Sequence, residues 1–412
     1  MLVLEFKLKG KKSQFALVDE ALRTVQFVRN KALRFWMDGH GKSQYDLNKY
    51  CAVLAKEFEW AKKLNSQARQ AAAERAWSAI ARFFNNCRKA ISGKKGYPKF
   101  QKDNRSVEYK TSGWKLSKDR TVLTFTDGFG IGSFKLLGSR DLNFYPIDQI
   151  KRVRVIRRAD GYYCQFGILV ERKVATEPTG KALGIDLGLK YFLAGSDGQT
   201  LQNPQYLRKS EQHIKRWQRQ VSRKQKGSKN RIKARKRLAK KHLQVARQRR
   251  DFAVKTARAL ILSNDLIAYE NLQVQNMVKN HVLAKSISDA SWGIFVQWLG
   301  YFGQVFGKVV VPVPPQYTSQ DCANCGQRVP KTLSTRTHTC PKCNYCECRD
   351  VNAARVILQK GLKLASEKYP RAVGNLTLWL APPAEGESLT ATLSNENCLK
   401  QVISLNQESP HL

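Results

Sequence analysis

Acid is what this sequence is short of: 32 Asp and Glu stand against 73 Lys and Arg in 412 residues, a formal net charge of +41 at pH 7. A charge of that size repels itself in a lone folded chain. It argues for a polyanionic partner whose counterions are released on binding. Long hydrophobic runs are also missing. A membrane-spanning helix needs about 20 consecutive apolar residues, and no such stretch occurs. Lipidation motifs are absent, and the opening Met-Leu-Val-Leu-Glu-Phe-Lys-Leu-Lys alternates like a strand instead of forming the apolar core of a signal peptide. These absences argue against a membrane protein and lead us to expect a cytoplasmic, nucleoid-associated prokaryotic one. Cysteine is present but unevenly spread. Six of ten fall within 322–348, while Cys51, Cys87, Cys164 and Cys398 are scattered. That distribution excludes a disulfide framework and suggests reduced thiols with one metal site. With 42% hydrophobic residues, the chain can form two or three domains with their own cores.

Hydrophobic spacing divides the chain. In 15–92 the apolar positions Leu17, Ala21, Leu22, Val25, Val28, Ala32, Leu33 and Trp36, then Ala72, Ala76, Ile80, Phe83 and Phe84, recur at helical intervals. A basic loop punctuated by Gly and Pro follows, Ser-Gly-Lys-Lys-Gly-Tyr-Pro-Lys-Phe. Over 107–171 the pattern is strand-like, with runs at 121–126, 130–137, 151–157 and 161–170 between Asp-Gly turns. It suggests a small antiparallel barrel that strand 2–9 joins, the helices being inserted. After a linker at 172–180, strand-like runs at 182–186, 190–195, 265–269 and 308–313 alternate with helical stretches, as in an α/β domain with a central sheet. Residues 208–250 read as a basic helical hairpin broken at Gly227-Ser228. From 373 the chain turns to Ser, Thr, Asn, Glu and Leu, and 373–412 is expected to be a disordered tail.

Two clusters carry chemistry. Cys322-Ala-Asn-Cys325 and Cys340-Pro-Lys-Cys343 are paired C-x-x-C knuckles. Each pair can occupy one edge of a tetrahedral Zn²⁺, and Gly326 and Asn344 supply the residue that a tight knuckle turn needs. Cys346 and Cys348 could compete for the metal, but the knuckle pairs are complete without them, and His338 is a weaker substitute. The second cluster is dispersed. Asp186 ends Ala-Leu-Gly-Ile-Asp, Glu270 ends Leu-Ile-Ala-Tyr-Glu, and Asp350 opens the helical stretch after the last cysteine. Alone, each reads as a turn or cap residue. A carboxylate closing a buried strand is costly unless a cation or hydrogen bonds compensate it, so three in so basic a chain suggest divalent metal ions where phosphates arrive.

Gly-Ile-Asp-Leu-Gly, Tyr-Glu-Asn-Leu, Tyr-Thr-Ser-Gln-x-Cys-x-x-Cys-Gly and Arg-Asp-x-Asn-Ala-Ala-Arg, in this order, resemble the OrfB/TnpB family of insertion-sequence proteins, relatives of the type V CRISPR effector nucleases. The resemblance covers about 1–370, departing from the family at Asn344, where glycine is usual, and at Cys346 and Cys348. It implies a multi-domain α/β protein with a β-barrel and a helical lobe. The nuclease domain would be RNase H-like (RuvC), over 181–372, with the hairpin at 208–250 and a zinc ribbon at 317–348 inserted. A wedge-type barrel (1–14 and 93–171) and a helical recognition lobe (15–92) would grip a guide RNA from the transposon end, which pairs with target double-stranded DNA. Catalysis would fall to Asp186, Glu270 and Asp350 holding two Mg²⁺ ions, and one structural Zn²⁺ to Cys322, Cys325, Cys340 and Cys343. No membrane partner is expected, and a monomer is favoured.

Charge supplies the nucleic-acid contacts. In the hairpin, Arg216, Arg219, Arg223, Lys224, Lys233, Arg235, Lys236, Arg237, Lys240 and Lys241 face almost no opposing acid beyond Glu211, and we expect them along the heteroduplex backbone. Arg349 and Arg355 flank the third acid and are further phosphate candidates. Asn352 reads equally as a helix-start hydrogen-bonder or a neighbour of the metal. The whole suggests an RNA-guided, Mg²⁺-dependent DNA endonuclease of a transposable element. The competing readings are a guide-free transposase or resolvase-type nuclease and a non-catalytic zinc-ribbon binder that regulates transposition.

Overall fold

The computed structural model describes residues 1–368 apart from 40, 92 and 333, so the tail expected at 373–412 lies outside the described residues. The chain forms two compact units, Met1–Arg172 and Lys173–Leu412. Among the described residues no helix is long and apolar enough to cross a membrane.

The first unit opens with β1 (Leu2–Lys9) and then inserts α1 (Lys12–Met37), α2 (Gln44–Glu57), α3 (Glu59–Lys62) and α4 (Ser66–Arg88). Helix α1 buries Val18, Ala21, Leu22, Val25, Val28, Ala32 and Leu33 at helical spacing. A Ser43–Asp46 capping box starts α2, and the Asn65 side chain caps α4 by accepting from Gln67 and Ala68 N–H. Six strands follow: β2 (Ser106–Tyr109), β3 (Trp114–Leu116), β4 (Val122–Phe125), β5 (Gly132–Leu137), β6 (Ile150–Arg158) and β7 (Gly161–Ile168). They and β1 form an antiparallel sheet in the order β2-β6-β7-β1-β5-β4-β3, so the first strand lies at its centre. Where a barrel was expected the sheet is a half-barrel. Its edge strands β2 and β3 share no ladder, and at four and three residues they are too short to close the cylinder.

The second unit has β8 (Ala182–Asp186), β9 (Tyr191–Gly195), β10 (Thr200–Gln202), α5 (Tyr206–Arg223), α6 (Lys229–Ser263), β11 (Leu266–Glu270), α7 (Val274–Met277), α8 (Ala284–Ala290), α9 (Trp292–Phe306), β12 (Val309–Val313), β13 (Thr337–Thr339), β14 (Cys346–Cys348) and α10 (Arg349–Lys368). Its main sheet runs β10-β9-β8-β11-β12, with β8, β11 and β12 parallel and the other neighbours antiparallel. Side-chain alternation along β11 separates two cores. Ile267 packs with α6 and α9, around Phe192, Phe252 and Phe295. Leu266 and Ala268 pack with Val311, Val313 and Ile357 of α10. Two glycines let α10 lie directly on that second face. A Cβ at Gly184 would meet the Ala354 carbonyl at 2.1 Å, and one at Gly361 would meet the Ala268 Cβ at 2.3 Å. The linker residues are tied down as well: Val174 N–H donates to Val305 O at 2.8 Å, and Thr179 and Gly180 N–H both donate to Asp265.

Candidate acidic centre and zinc knuckles

The two-residue alternation that separates the cores also places two of the acids. Glu270 shares its parity with Leu266 and Ala268, and Asp186 shares its parity with Gly184, which touches α10. Both strands run parallel in matched register, Tyr269 opposite Ile185. Asp186 and Glu270 therefore leave the same edge of the sheet on the α10 side, and Asp350 lies in the first turn of α10. The three meet electrostatically. Although Asp186 keeps some accessible surface, burial pushes its carboxyl up to about 8, the Glu270 and Asp350 charges push the same way, and Arg349 opposes them. Glu270 is 9% exposed and is also raised by burial, against the Thr318 hydroxyl and Lys360.

Each remaining acid has a protein partner. The buried Thr318 hydroxyl donates to Glu270 Oε1. Arg349 donates to Asp350 Oδ1 from Nε at 3.1 Å and Nη2 at 3.0 Å, while its Nη1 donates to Thr335 O at 3.0 Å. A buried acid pushed up by two neighbouring carboxylates marks a place short of positive charge, and an all-oxygen donor set suits a hard divalent cation. Among the described residues, though, only the knuckle cysteines form a set of three or more potential ligands already within 4.8 Å of one another.

That set is Cys322, Cys325, Cys340 and Cys343. The Sγ atoms of Cys322 and Cys343 are 3.7 Å apart and those of Cys325 and Cys340 3.5 Å. Tetrahedral Zn–S bonds of about 2.3 Å would space sulfurs by roughly 3.8 Å, so the four thiols fit zinc. The knuckles are built alike. Gly326 and Asn344 both adopt positive φ (73° and 55°) and return their N–H to the first cysteine's carbonyl at 2.9 Å. The Tyr345 N–H helps push the Cys343 thiol down to about 6, while burial and the neighbouring thiols push Cys325 up. Cys346 and Cys348 are exposed on β14 and stand outside the set. His338 is fully buried beside Tyr345 and is no part of it either.

Thr318 and Asn352 are the contributors that sequence reading left without a firm role. Asn352 is fully buried, two residues beyond Asp350. Its Oδ1 accepts from Ala323 N–H and its Nδ2 donates to Asp321 O, both at 2.9 Å, which fastens the first knuckle to α10. Lys360 to Asp321 (2.9 Å) and Gln359 to Ala323 O (2.7 Å) add to the same seam. Of the two readings left open for Asn352, the structure favours neither as stated: it is a clamp between elements. The signal was a polar side chain on the apolar face of a helical repeat.

The phosphate candidates divide. On the hairpin, Arg216, Arg219, Arg223, Lys233, Arg235, Lys236, Arg237 and Lys240 are exposed, while Lys224 and Lys241 are half-buried. Ser228 caps α6, and the Arg237 guanidinium lies 5.1 Å over the Trp217 ring. Arg349 and Arg355 are different. Arg349 is committed to Asp350 and Thr335. Arg355 bonds to Ser196 O at 3.2 Å, to the Tyr345 hydroxyl and to Glu347 at 3.4 Å. Both thus have internal partners where α10 meets the ribbon, unlike the exposed cations of the hairpin.

Residues 165–281 match the family model OrfB_IS605, described as "Probable transposase", and 292–357 match the Cas12f1-like TNB domain. The fold itself is of the Cas12f type, mixed α/β with a half-barrel sheet and a four-cysteine cluster. A Cas12f1-sgRNA-target DNA complex solved by cryo-EM superposes with a TM-score of 0.52 at 15% identity, over 84% of this chain and 82% of that one. Among curated proteins, the chain is similar to ones named as RNA-guided DNA endonucleases. The Escherichia coli K12 protein named "Putative RNA-guided DNA endonuclease InsQ" is 28% identical over 360 residues, 82% of this chain and 86% of that one. A Streptomyces pristinaespiralis protein named "Putative RNA-guided DNA endonuclease" is 30% identical over 198 residues, 47% of this chain and 49% of its own, so the match spans about half that relative's length.

Proposed function

We propose that this chain is an RNA-guided, Mg²⁺-dependent DNA endonuclease carried by a transposable element. In this reading the unit from Lys173 is an RNase H-like (RuvC) nuclease with an inserted zinc ribbon. The first unit is the wedge-type half-barrel and helical recognition lobe that hold a guide RNA from the transposon end. The observation that carries it is Asp186 and Glu270 at the ends of neighbouring parallel strands, with Asp350 in the first turn of α10, where burial and the other two charges push Asp186 up to about 8. Phosphodiester hydrolysis needs a cation there, and this is where the protein is short of one.

Bound divalent ions would supply the Lewis acidity that activates water and stabilises the leaving oxygen. The chain's own groups do the rest. Asp186, Glu270 and Asp350 would hold the cations. Thr318 fixes the Glu270 carboxylate, and Arg349 balances the Asp350 charge. The exposed cations of α5 and α6 would follow the backbone of a guide–target duplex.

The test is cleavage by protein purified with its co-expressed RNA. Asp186→Ala, Glu270→Ala and Asp350→Ala should each abolish Mg²⁺-dependent cutting of matched DNA and leave RNA binding intact. An Asp186→Ala protein that cuts like the parent would refute the catalytic assignment. If no discrete RNA co-purifies and cutting needs no guide, the guide-free nuclease is the correct reading.

A further inference from the structure

The proposed function makes no use of one surface on the first unit, where α1 and α4 end and the segment 93–101 crosses them. Four rings interlock there. Trp36 lies 6.0 Å from Phe84 and 6.1 Å from Tyr97, and Phe83 lies 5.4 Å from Phe84 and 5.2 Å from Tyr97. Beside them Phe100 carries the Arg34 guanidinium at 5.1 Å. Rings that pack together usually do so to leave water, yet Phe84 is 49% exposed, Tyr97 52% and Phe100 41%.

Backbone anchors hold these rings out. Asn30 brackets Gln101, donating to its carbonyl at 2.9 Å and accepting from its N–H at 2.8 Å. Arg29 donates to Lys99 O at 3.3 Å and Asn86 to Lys95 O at 3.0 Å, while Pro98 is buried between the exposed Tyr97 and Lys99. The segment is thus fixed in place before any partner arrives. Its charge is one-sided too. From 82 to 102 there are seven basic residues (Arg82, Arg88, Lys89, Lys94, Lys95, Lys99 and Lys102) and no acid.

We infer that this surface is a stacking platform for unpaired nucleotides, with bases on the faces of Tyr97, Phe84 and Phe100 and phosphates against the surrounding lysines. Positive charge alone would suit any polyanion. Exposed rings add a demand for flat apolar faces, which a single strand offers and a duplex hides in its own stack. The inference rests on the proposed nucleic-acid function but not on cleavage.

The test uses the full chain and single-stranded RNA and DNA oligonucleotides containing 2-aminopurine, with abasic and duplex controls, read by anisotropy and by 2-aminopurine quenching. The native chain should prefer base-bearing single strands to abasic ones. Tyr97→Ala and Phe100→Ala should each weaken that binding roughly tenfold and relieve the quenching, leaving abasic binding unchanged. Tyr97→Leu keeps the bulk and should lose the quenching all the same. Lys94→Gln with Lys99→Gln should instead lower the salt dependence for every oligonucleotide. Whichever of RNA or DNA loses more affinity in the ring variants is the resident strand. Ring variants with native affinity and quenching would overturn this inference alone. A native chain that binds no oligonucleotide would overturn the proposed function with it.

Discussion

Asp186 carries a pH signature that separates it from an ordinary turn aspartate. Because the fold holds its carboxyl at about 8, against about 4 in an unfolded chain, the folded state favours the protonated form. That contribution is full below about pH 4 and is lost as pH rises towards 8. Metal-free protein should therefore lose melting temperature across that window, and Asp186→Asn should flatten the loss. Comparing thermal melts of the two proteins at stepped pH tests it, and identical slopes would contradict the assignment. A divalent ion must displace the same proton, so Mn²⁺ affinity measured by titration should rise with pH up to about 8. Asn352 makes a second prediction at this scale. Asn352→Leu keeps the volume but strands the Ala323 N–H and Asp321 carbonyl it now satisfies, costing about 1–3 kcal/mol. Denaturant unfolding should register that loss, and a colorimetric chelator should strip zinc faster. Neither this clamp nor the Thr318 bond to Glu270 was legible beforehand. Each spans 29 or more residues, and no local pattern encodes such a partner.

Elements were legible where they are long and regular. The run 182–186 is strand β8 residue for residue, and the break at Gly227-Ser228 is where α6 begins. Strands β3, β10, β13 and β14 escaped because three residues hold too little alternation to stand out. The seating of α10 depends on two absent side chains. Gly361→Ala or Gly184→Ala would force the helix off the sheet, costing about 1–3 kcal/mol by overpacking and displacing Asp350. Cleavage should fall further than RNA binding, and equal losses would mean simple unfolding. On the hairpin, changing Arg235, Lys236 and Lys240 to Gln should reduce the slope of log affinity against log salt by roughly 0.7–0.9 per lost phosphate contact. An unchanged slope would show that these cations merely solvate the helix.

Across the whole molecule, the net charge of +41 and the cysteine cluster could be read without any coordinates. The cysteine knuckles dock on the helix that carries Asp350, which joins the candidate zinc site to the acidic residues through Asn352, Gln359 and Lys360. Chelation of zinc should therefore lower the melting temperature and, in the proposed function, suppress cleavage while guide RNA stays bound. What the sequence determined by itself was chemistry set by local spacing: cysteines paired across two residues, acids closing apolar runs, and an excess of base. The tertiary structure alone decided which groups meet. It left the expected barrel open, gave Arg349 and Arg355 internal partners, and set Asp186 and Glu270 at the ends of adjacent strands with Asp350 in the first turn of α10. Those outcomes follow from strand order and the two-residue alternation of a parallel sheet, which bring distant segments together in a way that no window of sequence contains.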